Sequence, residues 1–141
     1  MKTLPLFASL AALAATPALS QAIASMAPDE YVKTAGASDL YEIQSSQIVL
    51  QSTADPIIQA FAQDMVRQHT ESTAMVTAAA AKSKVTVSPP QLMQLQAELI
   101  AELQAEHGPA RDAVYIAQQK EAHQQALNVR RRTPWMAPRP P

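Results

Sequence analysis

The sequence predicts an all-α protein, and three observations carry that reading. Glycine occurs only at Gly36 and Gly108 in 141 residues, too sparsely for a fold built on many tight hairpin turns. Alanine, glutamine and leucine dominate, and these side chains lose little rotamer freedom in a helix. Apolar residues also return at helical rather than alternating spacing along most of the chain.

Composition narrows the function classes. A net charge of -1 gives no basic excess to neutralise nucleic-acid phosphates or hold an anionic membrane. With 48% hydrophobic and 16% charged residues, the chain can build the core of one domain. Cysteine is absent, which excludes a disulfide, a thiolate metal ligand and a cysteine-borne lipid. No segment of the mature chain is long and apolar enough to span a bilayer.

Residues 1–20 read as a secretory signal peptide. Lys2 gives the positive start, Leu4 to Ala15 the apolar run, and Ala18 and Ser20 the small residues before a cut at Gln21. The expected product is periplasmic or secreted. Residues 21–28 then form a linker, 29–127 a helical domain, and 128–141 a disordered tail rich in proline and arginine.

Four helices are expected, over about 29–53, 55–82, 89–106 and 110–127. Asp29 serves as N-cap of the first, whose sector holds Tyr31, Val32, Ala35, Ile43, Val49 and Leu50. Asp55 caps the second with Pro56 at the first helical position. Ile57, Ile58, Phe61, Met65, Val76 and Ala79 form its inner face. Ser88 opens the third with Gln91 reaching back in a capping box, and Leu92, Leu95, Leu99 and Leu103 line it. Gly108 in a left-handed conformation and Pro109 end that helix. Tyr115, Ile116, Ala122, Ala126 and Leu127 mark the fourth. Beyond it, three consecutive arginines and four prolines read as extended, solvated chain.

Polar residues interrupt the apolar faces. Glu42 lies inside the first helix's sector. His69 follows Met65 by one turn at the edge of the second helix's face. His123 sits mid-face on the fourth helix with Asp112 on the same side. A buried carboxylate needs a partner, and a contact between Glu42 and His69 from a facing helix supplies one without a metal. The expected structural polar cluster is Glu42, His69, Asp112, Tyr115 and His123. The alternative is a mononuclear divalent-metal site of Glu42, His69 and His123, since carboxylate and imidazole on facing helices are the ligands that bundles use. The paired Glu-x-x-His pattern of di-iron bundles is absent, because Val66 and Lys120 stand three before the histidines. His107, beside Gly108, reads as helix-end chemistry. No glycine-rich phosphate loop or nucleophile elbow occurs, so no catalytic residue is assigned.

E-Y-V-K-T-A at 30–35, Glu42, I-Q-A-F-A-Q-D-M-V-R-Q-H-T at 58–70 and D-A-V-Y-I-A-Q-Q-K-E-A-H-Q-Q-A-L at 112–127 resemble the bacterial family named Domain of Unknown Function 4142. The resemblance implies an exported, ferritin-like antiparallel bundle without an established activity. It also implies that Glu42, His69, Asp112 and His123 are the family's recurring polar positions. Gln68 departs from the acidic residue that the family carries before the second helix's histidine. The tail departs from the family's further helix. Read from the third base of the Trp135 codon, Trp135–Met136 would encode Asp-Gly, the kind of turn that resemblance places there. The expectation is a change of reading frame near Asn128 and loss of the last helix.

The sequence therefore points to a non-catalytic interaction or stress-associated module with no cofactor, or else to a protein holding one divalent metal ion. An incomplete bundle exposes an apolar groove, so the expected partner is a second copy or another helical protein.

Overall fold

The computed structural model describes residues 27–132. Four helices account for most of them: α1 is Pro28–Leu50, α2 Pro56–Lys82, α3 Gln94–Ala105 and α4 Gly108–Arg132. No strand occurs among the described residues. The signal-peptide assignment, residues 21–26 of the linker and residues 133–141 of the tail lie outside the described residues.

Contacts set the directions. His69 and Thr73 of α2 meet Asp39 of α1, while the turn after α1 leads straight into α2, so these helices are antiparallel. On α4, Arg111 meets Ile48, Tyr115 meets Ser46 and Gln119 meets Glu42. That descending register runs α4 antiparallel to α1 as well. α3 returns beside α1 and joins α4. α1 is the central helix; it packs on each of the other three and most extensively on α2.

The position of α1 explains why its burial is broad. Small residues Gly36, Ala37, Ser45 and Ser46 are buried along it, and Ala62 faces it from α2 with no exposure, so the neighbouring backbones approach closely. The apolar core gathers Tyr41, Ile48, Val49, Ala62, Ile100, Leu103 and Tyr115, with Ile58, Leu92 and Leu99 packed against it. The first-helix sector expected from periodicity is only partly right. Tyr31 is exposed and Val49 is fully buried, because α1 also buries polar residues on sides that an apolar count cannot see.

Helix ends follow local chemistry. The Asp55 carboxylate accepts from the N–H groups of Ile57 and Ile58 at 2.8 and 3.3 Å, and Pro56 fills the first helical position, as expected. α2 closes with Lys84 in a left-handed conformation (φ 57°). Val85 N–H donates to Ala80 and Lys84 N–H to Ala81, the paired bonds of a Schellman closure.

Several boundaries differ from expectation: α1 ends at Leu50 rather than near 53, α4 begins at Gly108 rather than near 110, and three further shifts have an identifiable cause. α1 begins at Pro28 with Ala27 as N-cap; Asp29 and Glu30 instead sit in the first turn, where negative charge complements the helix dipole. α3 begins at Gln94 rather than near 89. A Cβ built on Gly36 would stand 3.2 Å from Pro90 Cγ, so Pro90 is seated on α1 and the chain stays non-helical to Met93. There Gln96, not Gln91, reaches back to accept from the Met93 N–H at 2.9 Å. α4 continues through Arg132 rather than ending at Leu127. Asn128 to Arg132 contain no proline or glycine that would end the helix earlier. Gly108 adopts the left-handed φ of 51°, but it opens α4 rather than ending α3, whose C-cap is Glu106 in an extended conformation.

Candidate functional site

Of the polar residues expected to cluster, Glu42 and Tyr115 are buried, His69 and Asp112 are half-buried and His123 is exposed, and they bond separately rather than as one cluster. Between α1 and α2, the Asp39 carboxylate takes His69 Nδ1–H at 2.8 Å and the Thr73 hydroxyl at 3.0 Å. Asp39 is 6% exposed. Two donors on successive turns of α2 therefore compensate its burial. This corrects the expected Glu42–His69 contact: the carboxylate that meets His69 lies one turn earlier on α1.

Glu42 faces α4 instead. Its carboxylate accepts from Gln119 Nε2 at 2.6 Å, and Gln119 also reaches Ser45 Oγ at 3.5 Å. One turn further along, the Tyr115 and Ser46 hydroxyls bond at 2.8 Å. Asp112 lies at the helix ends, where Thr53 Oγ1 donates to it at 3.0 Å. The second Asp112 oxygen and Gln119 Oε1 are buried without a hydrogen-bond partner. His123 donates from Nδ1 to the Gln119 carbonyl of its own helix at 2.9 Å. Its ring meets Phe61 edge-on at 6.4 Å, and Phe61 meets Tyr115 at 6.1 Å.

Glu42, His69 and His123 thus do not bond to one another: Glu42 and His123 each meet Gln119, through its side chain and its carbonyl, and His69 meets Asp39. Among the described residues, no three His, Asp, Glu or Cys side chains are grouped to hold a metal ion. The Asp39, His69 and Thr73 arrangement does not activate a nucleophile either. The carboxylate sits between imidazole and hydroxyl, whereas a triad needs the imidazole in the middle to take the hydroxyl's proton.

The buried tyrosines are held neutral. Burial and the negative charge of Glu42 push Tyr115 up from 10.0 to about 12, against a lowering by its Ser46 hydrogen bond. Tyr41 is raised as well, by burial first and then by Glu42, Tyr115 and Glu102. Its hydroxyl donates to Gln118 at 3.0 Å, and Gln118 donates onward to Glu102 at 2.9 Å.

Sequence reasoning missed Arg111, which is 4% exposed. Its Nε donates to the Leu103 and Glu106 carbonyls at 3.0 and 2.7 Å, and Nη1 to the Ile48 carbonyl at 3.0 Å and Ser52 Oγ at 3.2 Å. One guanidinium thereby closes the C-terminal ends of α1 and α3, where the helix dipoles favour a cation. His107 Nδ1 accepts from Arg111 Nη2 at 3.2 Å, so the helix-end role of His107 is realised through Arg111. The available signal was an arginine two residues after H-G-P at a helix junction.

A profile of the domain of unknown function DUF4142 matches residues 9–134, 126 of the 141 residues. The chain belongs to the DUF4142 family. The DUF4142 match runs past Asn128, where a change of frame was expected, and covers the described end of α4. No curated protein matches the chain. No solved structure matches it. For this DUF4142 member, therefore, the internal polar pairs are read from their own geometry.

Exposed apolar residues form the other notable feature. Ile57 is 78% exposed, Met75 67% and Phe61 37% on α2, with Ile116 and Leu127 nearly half exposed on α4. Phe61 joins the two helices through Tyr115 and His123. No helix among the described residues is long and apolar enough to cross a membrane.

Proposed function

We propose that this protein acts outside the cytoplasm, after removal of residues 1–20, as a non-catalytic interaction module of ferritin-like type. Its first partner is a second copy of itself. The observation that carries this reading is the apolar strip beside Phe61. Ile57, Phe61, Gln68, Ser72, Met75 and Ala79 share about a 60° sector of α2 at helical spacing, and none of them is charged. Ile116 and Leu127 extend the strip onto α4. An uncharged apolar strip meets its own copy without like-charge repulsion, and a two-fold contact buries the same residues on both chains.

Association that accompanies folding makes the melting temperature depend on protein concentration. A midpoint that rises with concentration, and ceases to rise in Ile57→Glu, supports this function. A midpoint independent of concentration rejects it.

A second reading, a divalent-metal protein, is supported by the imidazoles. His69 and His123 both commit Nδ1–H to an oxygen acceptor, so each neutral ring carries its lone pair on Nε2, the form that ligates a metal. Stoichiometric metal in untagged protein, lost in a His69→Ala/His123→Ala double variant, would establish that reading in place of the first.

A further inference from the structure

Away from the Phe61 strip, a cavity of about 500 Å³ opens between the first half of α1, the second half of α2 and the connection from α2 to α3. Such a volume falls within the roughly 300–1,000 Å³ of small-ligand sites. Its construction is specific. Gly36 lets Pro90 settle against α1, since a Cβ there would stand 3.2 Å from the proline ring. The seated proline holds the connection as a strap across the opening. At the inner side, Thr73 is fixed by its bond to Asp39.

Three features of the lining identify the ligand chemistry. Val32, Val76 and Val87 present branched aliphatic surface. Thr86, Val87 and Ser88 of the strap also line the cavity, and their backbone groups make no hydrogen bond to other described residues. Pro89 ends this donor run because it has no N–H. Asp29 and Lys33 stand one turn apart at the cavity without forming an ion pair with each other.

We propose that the cavity binds a short extended peptide with free termini. The peptide seats an aliphatic side chain among Val32, Val76 and Val87 and pairs its backbone with Thr86–Ser88. Asp29 and Lys33 receive its amine and carboxylate. An apolar molecule without amides would fill the space but leave the strap's backbone groups unpaired, at the cost of desolvating them. Main-chain pairing beside a side-chain pocket is the general mode by which an extended peptide is held at an open backbone edge.

The test is amide chemical-shift titration of the whole chain with the tripeptide Ala-Val-Ala, alongside 3-methylbutan-1-ol as an amide-free aliphatic control. The expected result is saturable shifts at residues 86–88 with an affinity on the order of 1 mM or tighter. Val76→Trp, which fills the cavity, should weaken the peptide at least about tenfold. Val87→Pro, which removes one strap N–H that has no internal partner along with part of the aliphatic lining, should weaken the peptide by a larger factor than the alcohol. Because Val87 lies outside every helix, this second variant keeps the test decisive if Val76→Trp disturbs folding. Absence of shifts at 86–88, or equal binding of peptide by Val87→Pro and the native chain, overturns the proposal.

Discussion

Arg111→Met should be the most damaging single substitution for its change in volume. Methionine retains much of the stem but removes every donor. Of the four acceptors on Nε and Nη1, the Leu103 and Ile48 carbonyls are reached by fully buried bonds, while the bonds to Glu106 and Ser52 are only partly buried. Water can replace the latter two. The Leu103 carbonyl is left without a donor, at about 1–3 kcal/mol, while the Ile48 carbonyl keeps the Gln51 N–H at 3.2 Å and loses one of two bonds, at about 0.5–1.5 kcal/mol. The expected loss is therefore about 1.5–4.5 kcal/mol, a large part of the roughly 5–15 kcal/mol that holds a small domain folded. Urea unfolding followed by far-ultraviolet circular dichroism, at one fixed protein concentration, measures it. The midpoint should fall with little change in slope. Arg111→Lys should recover less than half of the loss, because an ammonium cannot span acceptors on two helix ends with the guanidinium's fixed fork. A change in Arg111→Met below about 0.5 kcal/mol, the range of ordinary surface substitutions, would refute the reasoning.

Other outcomes follow from the same geometry. Asp39→Ala leaves His69 and Thr73 without their shared acceptor and should cost about 1–3 kcal/mol by urea unfolding, with Asp39→Asn costing less. Lys84→Gly removes a side chain from a left-handed position. It should raise stability by up to about 1 kcal/mol, the relief of roughly 1–2 kcal/mol being offset in part by a more flexible unfolded chain. Tyr115 is raised in the folded chain, so the unfolded chain loses its phenolic proton first. Its contribution is complete below pH 10 and is lost as pH rises through about 12. The urea midpoint should decline across that window, and in a Tyr31→Phe variant, which removes the exposed phenol, tyrosinate absorbance should appear together with unfolding rather than before it.

The helices were legible where the sequence carries its own punctuation. Asp55-Pro56 fixed the start of α2, and the four helices lie near their expected places because apolar spacing and breakers agree. The boundaries that shifted were decided by tertiary contact. Pro90 rests on Gly36, a neighbour more than fifty positions away, and this delays α3 in a manner no local capping pattern reveals. At the other end, the arginine run reads as solvated tail by charge, yet nothing before Pro134 forbids a helix. The buried polar residues were half legible. Glu42 and His69 stood out because each interrupts an apolar face, but spacing gives only an angular position. It does not choose between acceptors one turn apart, so Asp39 was overlooked. Arg111 was missed for a different reason: its value comes from three helix-end carbonyls, which carry no side-chain signature at all.

The account rests on the uncharged strip of α2 being covered by another copy of the chain. Sedimentation equilibrium of the native protein beside the double variant Ile57→Glu/Ile116→Glu tests this most directly. Both residues are well exposed, so the substitutions should spare the folded monomer while placing charge in the contact. The native chain should sediment as a dimer over the accessible concentrations and the variant as a folded monomer. A native protein that remains monomeric throughout, with its circular dichroism intact, would contradict the account.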